Sequence, residues 1–170
     1  MTCIALVGRP NVGKSTLFNR LVGKRQAVVS TTRGTTRDRL YGHMTWQGAT
    51  VTFIDTGGLE VAPAPGLAEQ VQQQVTRALE EADAVVLLVD AQEGLVPADE
   101  LLMARLRTQG KPVILAVNKA EPRLFVPSEF FALGVSAVLP ISALHGLGVG
   151  ELLDHVVELR EAPFDEQFEL

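Results

Sequence analysis

The sequence predicts an α/β fold, a mostly parallel sheet with helices on both faces and one antiparallel edge strand. Three observations carry that expectation. The Val-rich runs Ala84–Val89 and Val113–Val117 are apolar throughout rather than alternating, as strands covered on both faces are. Stretches with apolar residues at helical spacing lie between such runs, so strands and helices alternate along the chain. One pair of segments breaks the alternation. Tyr41–Trp46 and Val51–Ile54, separated by Gln47–Thr50 around Gly48, have the pattern of a hairpin.

In chain order, Cys3–Val7 is a short apolar run of strand length that enters a Gly-rich turn. Leu17, Phe18, Leu21 and Val22 then recur at helical spacing. The hairpin follows, and after it the strand Ala84–Val89. Leu101, Leu102 and Leu106 belong to a helix that Gly110 stops. Val113–Val117 and Val135–Ile141 are further strands, and Leu152, Leu153, Val156, Val157 and Leu159 line a last helix. The count is six strands. Gly23–Arg39 and Thr56–Gly66 are long loops, which suggests mobility or function. The domain is placed at residues 1–162, and the acidic, aperiodic Pro163–Leu170 reads as a linker or tail.

The 170 residues suit one domain with a sizeable core, and 46% apolar with 21% charged residues is ordinary for an α/β protein. No apolar run is long enough to span a bilayer, and no targeting segment is recognised ahead of the first strand. Cys3 is the only cysteine, which excludes an internal disulfide and suits a reducing cytoplasm. It reads as a small hydrophobe at the strand edge. A net charge of −5 argues against holding nucleic acid by bulk electrostatics. Lys24, Arg25, Arg33, Arg37 and Arg39 nevertheless cluster early, where a solvated surface and a partner surface both remain open readings.

Gly8-Arg9-Pro10-Asn11-Val12-Gly13-Lys14-Ser15 matches the phosphate-loop pattern Gly-x-x-x-x-Gly-Lys-Ser/Thr, with a strand before it and a helix after it. Chemistry explains the spacing. Gly8 and Gly13 let the backbone wrap an anion so that successive N–H groups, Val12 and Thr16 among them, point inward. The helix start adds its positive end. Lys14 brings charge to the β- and γ-phosphates, and the Ser15 hydroxyl is a magnesium ligand. The fold expectation becomes a P-loop NTPase with a Ras-like three-layer arrangement.

Asp55-Thr56-Gly57-Gly58 follows a strand, so Asp55 is placed to reach the magnesium shell and Gly58 to approach the γ-phosphate. Alone, that tetrapeptide is also a good turn. Asn118-Lys119-Ala120-Glu121 follows the strand Val113–Val117 and stands where guanine-binding GTPases carry Asn-Lys-x-Asp. An acid there accepts from the guanine N1–H and 2-amino groups, donors that adenine lacks. Glu121 is one methylene longer, which leaves the reach in question. Ser142-Ala143 supplies a loop whose backbone N–H can meet guanine O6. These motifs lie just after strands, where open α/β sheets place their ligands.

These residues, with Gly34-Thr35-Thr36-Arg37-Asp38-Arg39, Leu59 and Ser142-Ala143-Leu144-His145-Gly146, resemble the first GTPase domain of the Der (EngA) family, bacterial tandem GTPases of ribosome assembly. The similarity runs over essentially the whole chain, and Asp-Thr-Gly-Gly-Leu with Thr-Thr-Arg-Asp-Arg favours Der over Era and MnmE. The resemblance implies that Thr36 closes on magnesium and the γ-phosphate, and that Asn11 helps seat a potassium ion. Leu59 stands where many GTPases carry a catalytic glutamine, which implies slow intrinsic turnover and an ion acting like an arginine finger. Lys14, Thr36 and Asn11 are then the catalytic candidates. The implied partners are GTP or GDP, the large ribosomal subunit or its assembly factors, and a second GTPase domain of the same protein, with no membrane. Thr31 and Arg33 take positions usually held by Asp and Pro, and the segment after Glu121 is shorter than usual.

Other readings stay open at this stage. Asn11 is also a common turn residue, and Leu59 can simply pack. A nucleotide-responsive binding module with negligible hydrolysis is the second function considered, and a P-loop ATPase or kinase the third. His43, His145 and His155 lack metal-ligand spacing and are taken as solvated or structural, and Trp46 as packing.

Overall fold

The computed structural model describes residues 2–23, 27–30, 39–56 and 76–161. Its strands are β1 (Thr2–Val7), β2 (Ala27–Ser30), β3 (Arg39–Trp46), β4 (Ala49–Asp55), β5 (Ala84–Asp90), β6 (Val113–Asn118) and β7 (Ala137–Pro140). They form one sheet in the order β2-β3-β4-β1-β5-β6-β7. β1 pairs in parallel with β4 and β5, β5 with β6, and β6 with β7. The helices are α1 (Lys14–Val22), α2 (described over 76–81), α3 (Pro97–Thr108) and α4 (Val149–Glu161), with a 3-10 segment at Ser128–Leu133.

The three layers follow from alternation along the strands. Ile4 and Leu6 of β1 share a core with Leu17 and Phe18 of α1 and Leu152 and Val156 of α4. Ala5 and Val7 face the opposite way, into a core with Leu79 of α2, Met103 and Leu106 of α3, and Phe130. β5 is buried at every position, because helices cover both its faces. Burying a side chain of this size contributes about 1.5–3 kcal/mol, so the central strands hold the frame on which the loops sit.

The six expected strands are all present, and a seventh, β2, lies within the stretch expected to be loop. It pairs antiparallel with β3 from Ala27↔Gly42 to Ser30↔Arg39. The antiparallel strand β3 therefore sits one place in from the edge, because its outer N–H and C=O groups find a partner in β2. Gln47 and Gly48, both at positive φ, close the hairpin between β3 and β4.

Other boundaries moved for local reasons. β7 begins later than Val135, because Gly134 at φ 73° first closes the 3-10 segment. α3 stops before Gly110 as expected, yet Leu101 is 73% exposed, and the apolar residues it buries are Met103 and Leu106. α2 and the 3-10 segment are additions the sequence pattern did not suggest. Among the described residues no helix is long and apolar enough to cross a membrane. Residues 163–170, read as a tail, lie outside the described residues, as does residue 162.

Candidate nucleotide-binding site

Because β1, β4, β5, β6 and β7 run the same way, their carboxyl ends share one edge of the sheet. The loops after β1, β4, β5, β6 and β7 gather there, and the motifs lie on them.

The phosphate loop is shaped by close approach. A Cβ on Gly8 would stand 2.8 Å from Val12 Cγ2 and 2.9 Å from the Leu88 carbonyl oxygen. Gly13 sits at φ 102°, and its added Cβ would meet Asn118 Nδ2 at 2.3 Å, so both strain and space demand glycine. Asn11 is exposed and held at φ 69°, a conformation that asparagine tolerates better than most residues. Lys14 is buried, its Nζ donating to the Gly8 carbonyl at 2.6 Å, which holds the ammonium across the loop. The first turn of α1 carries no acidic residue and no side-chain cap, so its N–H groups and positive end suit an anion. Ser15 and Thr16 occupy that turn.

Asp55 ends β4, buried, in register with Leu6 of β1, and Thr56 Oγ1 donates to the Leu6 carbonyl at 2.7 Å. Ser15 and Asp55 offer hard oxygen donors of the kind magnesium prefers. Among the described residues no three His, Cys, Asp or Glu side chains group into a metal cage. A few protein oxygens completed by phosphate oxygens is the usual arrangement for magnesium, so the donor set fits. Thr36, Gly58 and Leu59 lie outside the described residues.

The base side is built from segments distant in sequence. Asn118 is buried; its Nδ2 donates to the Val12 carbonyl at 2.8 Å and its Oδ1 accepts from the Ala143 N–H at 2.9 Å. It thus braces the phosphate loop against the loop after β7. The Ala143 N–H, in the loop expected to serve guanine O6, is used on that brace. Lys119 Nζ donates to the Asn11 carbonyl at 3.0 Å and pairs with Asp90 Oδ2 at 3.1 Å. Burial works against ionising Asp90, but the Lys119 ammonium and the Gln92 and Glu93 N–H groups outweigh it, holding the carboxyl below its usual pKa. Glu121 Oε2 accepts from Ser142 Oγ at 2.6 Å and lies in ion-pair contact with His145 Nε2 at 2.9 Å. Arg20 of α1 donates to the carbonyls of Ala143 at 2.5 Å and Leu144 at 2.7 Å, tying this loop to the body.

Four participants escaped sequence reading. Asp90 had a signal, since it ends a strand on the ligand-binding edge. Arg20 had none. Arg9, inside the phosphate motif, pairs with fully buried Asp99 at 3.2 Å and with Glu93 at 3.0 Å, linking the loop to the start of α3. Burial raises the Asp99 carboxyl above its ordinary pKa, against the opposing Val96 N–H and Arg9. His145, taken as solvated or structural, is brought onto Glu121. His43 bonds Thr52 and His155 bonds the Glu151 carbonyl, so those two are structural. Trp46 packs near Gly150 and donates to Asp154 at 2.9 Å.

A family model described as "50S ribosome-binding GTPase" matches residues 3–119. The chain belongs to that family. Among curated members it is 49% identical over 158 residues to GTPase Der of Limosilactobacillus fermentum, covering 91% of this chain and 36% of that protein. It therefore spans little more than a third of the length of such relatives. The G domain of the FeoB iron transporter of T. maritima superposes with a TM-score of 0.74 at 28% identity, covering 94% of this chain and 99% of that one. Era of Aquifex aeolicus, bound to GDP·AlF4−, gives 0.72 at 32% identity, covering 100% of this chain and 60% of that one. These likenesses bear out the P-loop GTPase fold and the family resemblance read from the motifs.

Proposed function

We propose that this domain binds GTP and GDP with magnesium and hydrolyses GTP as a slow molecular switch in ribosome assembly. The observation that carries this is the Asn118 brace: one buried side chain joins the phosphate loop to the loop beside the base-reading acid. Lys14 and the α1 N-terminus hold the phosphates, and Ser15, Asp55 and Thr36 would hold magnesium. When bound, that ion neutralises charge on the β- and γ-phosphates. Glu121 accepts from the guanine N1–H and 2-amino group. Water attacks the γ-phosphate in line, and the phosphate loop carries the charge that develops on the departing group.

With leucine at position 59 no glutamine orients the water, and we take turnover to be slow and stimulated by potassium seated near Asn11. Rates equal in sodium and potassium overturn the potassium role. The binding partner is a ribosomal subunit or an assembly factor, and the compartment is the cytoplasm.

Binding of GDP, GTP, ADP and ATP side by side, with Glu121→Asp as control, tests the base reading. We expect the guanine nucleotides to win by at least tenfold, and the substitution to widen the margin. Comparable ADP affinity overturns it. Leu59 also favours a second reading, a nucleotide-responsive module without hydrolysis. Single-turnover assays at saturating GTP separate the two.

A further inference from the structure

We propose that His145 is a positioning residue for guanine recognition, orienting the longer Glu121 side chain so that one carboxylate oxygen is left to read the base. The inference rests on the reading that Glu121 contacts guanine. Ser142 Oγ donates to Oε2 at 2.6 Å, and His145 Nε2 stands 2.9 Å from the same oxygen as an ion-pair contact. A carboxylate oxygen has about two lone-pair directions, so with the Ser142 hydroxyl bonded and the imidazole against it Oε2 is occupied. Glu121 has no other bonded partner among the described residues, which leaves Oε1 with acceptor capacity for two donors. Guanine presents two adjacent donors, N1–H and the 2-amino group, so the remaining capacity matches the base.

The second anchor answers a need that glutamate creates. Its extra methylene adds a rotatable bond, and each free torsion must be frozen when the base is read. Ser142 alone holds one point of the carboxylate; His145 adds a second direction. The backbone that carries the imidazole is itself held in place. Ser142 and Leu147 exchange backbone hydrogen bonds at 2.9 and 3.1 Å, and the His145 N–H reaches Ser142 Oγ at 3.3 Å. Arg20 holds the carbonyls of the two residues before His145, and a Cβ on Gly146 would lie 2.8 Å from its Nη1. Glu121 is thus the charged group in contact with the imidazole, while Arg20 holds the backbone before it. The His145 side chain is 58% exposed, so its bond adds little to folding, and orientation is what remains for it to supply.

The test is a cycle of His145→Ala, His145→Gln, Glu121→Asp and the Asp/Ala double variant, titrated with GDP, IDP and ADP in the presence of magnesium. IDP lacks only the 2-amino group. His145→Ala should weaken GDP about two- to fivefold, as expected for one exposed charge-assisted bond, and narrow the preference for GDP over IDP. His145→Gln, whose amide can still donate to Oε2, should recover most of both. In the Glu121→Asp background, where the shorter carboxylate no longer reaches the imidazole, His145→Ala should change neither. Equal weakening of GDP, IDP and ADP overturns the proposal, as does an unchanged loss in the Asp background. A GDP-selective protein indifferent to His145→Ala overturns only the role of His145. An unmodified protein that binds ADP as tightly as GDP overturns the base reading beneath it.

Discussion

The phosphate side and the base side of the site are built by different means. The phosphate loop is one contiguous stretch, Gly8 to Ser15, shaped by backbone conformation at Asn11 and Gly13 and by the start of α1. The base side has no contiguous frame. It is assembled from the ends of β5, β6 and β7 and from α1, joined by the side chains of Asn118, Lys119, Glu121 and Arg20. Backbone geometry tolerates few substitutions but many neighbours. A side-chain assembly tolerates local change but depends on each bridging group. The two sides meet at Asn118, whose amide touches the phosphate loop and whose carbonyl touches the base loop.

That contrast can be broken most severely at Gly13. Gly13→Ala forces a Cβ onto Asn118 Nδ2 at a backbone angle that side chains rarely adopt. It should lower nucleotide affinity by up to about 100-fold, the effect of the roughly 1–3 kcal/mol that a side chain costs at such a backbone angle. Titration with GDP and with free pyrophosphate checks it. Both should weaken, because the phosphate loop itself is displaced.

Asn118→Ala should rank next and separate the two sides. It leaves the Val12 carbonyl and the Ala143 N–H without partners, at about 1–3 kcal/mol for each buried group. GDP affinity should fall about tenfold or more while pyrophosphate binding falls less. Equal losses would mean that the phosphate loop depends on the brace as fully as the base loop does.

The smallest effect concerns Asp90 and Lys119. The folded carboxyl titrates below its ordinary value of 3.8, so the native state gives up its proton more readily than the unfolded chain. The stabilisation is complete above that unfolded value and is lost as the pH falls below it, through the lower folded value. Asp90→Asn should therefore destabilise the protein at neutral pH by about 1 kcal/mol, with the gap to the unmodified protein closing below about pH 4. Denaturant midpoints measured from pH 7 to pH 3 check this; a gap that stays constant throughout sinks it.

Much of the frame was legible beforehand because continuous apolar runs and full sequence motifs depend on local chemistry. Cys3 fits its bland reading, since burial, then Asp83 and Glu81, push its thiol up to about 11, far from a reactive range. β2 was not legible, because four residues carry too little periodicity and its partner is supplied by the open edge of β3. Asn118 and Lys119 were foreseen as base-side residues, yet their bonds go to the phosphate loop, the loop after β7 and Asp90.

By itself the sequence determined the alternating α/β frame, the phosphate loop and the order of the motifs. Each is carried by residues adjacent in the chain, where spacing and side-chain type set the backbone directly. Only the tertiary structure decided that Asn118 braces two loops, that Arg9 ties the phosphate loop to α3, and that His145 reaches Glu121. Arg9 and Asp99 are 90 residues apart, and Asn118 and Val12 are 106 apart. No local pattern encodes such pairs, because their meeting depends on which strands lie side by side and in what register.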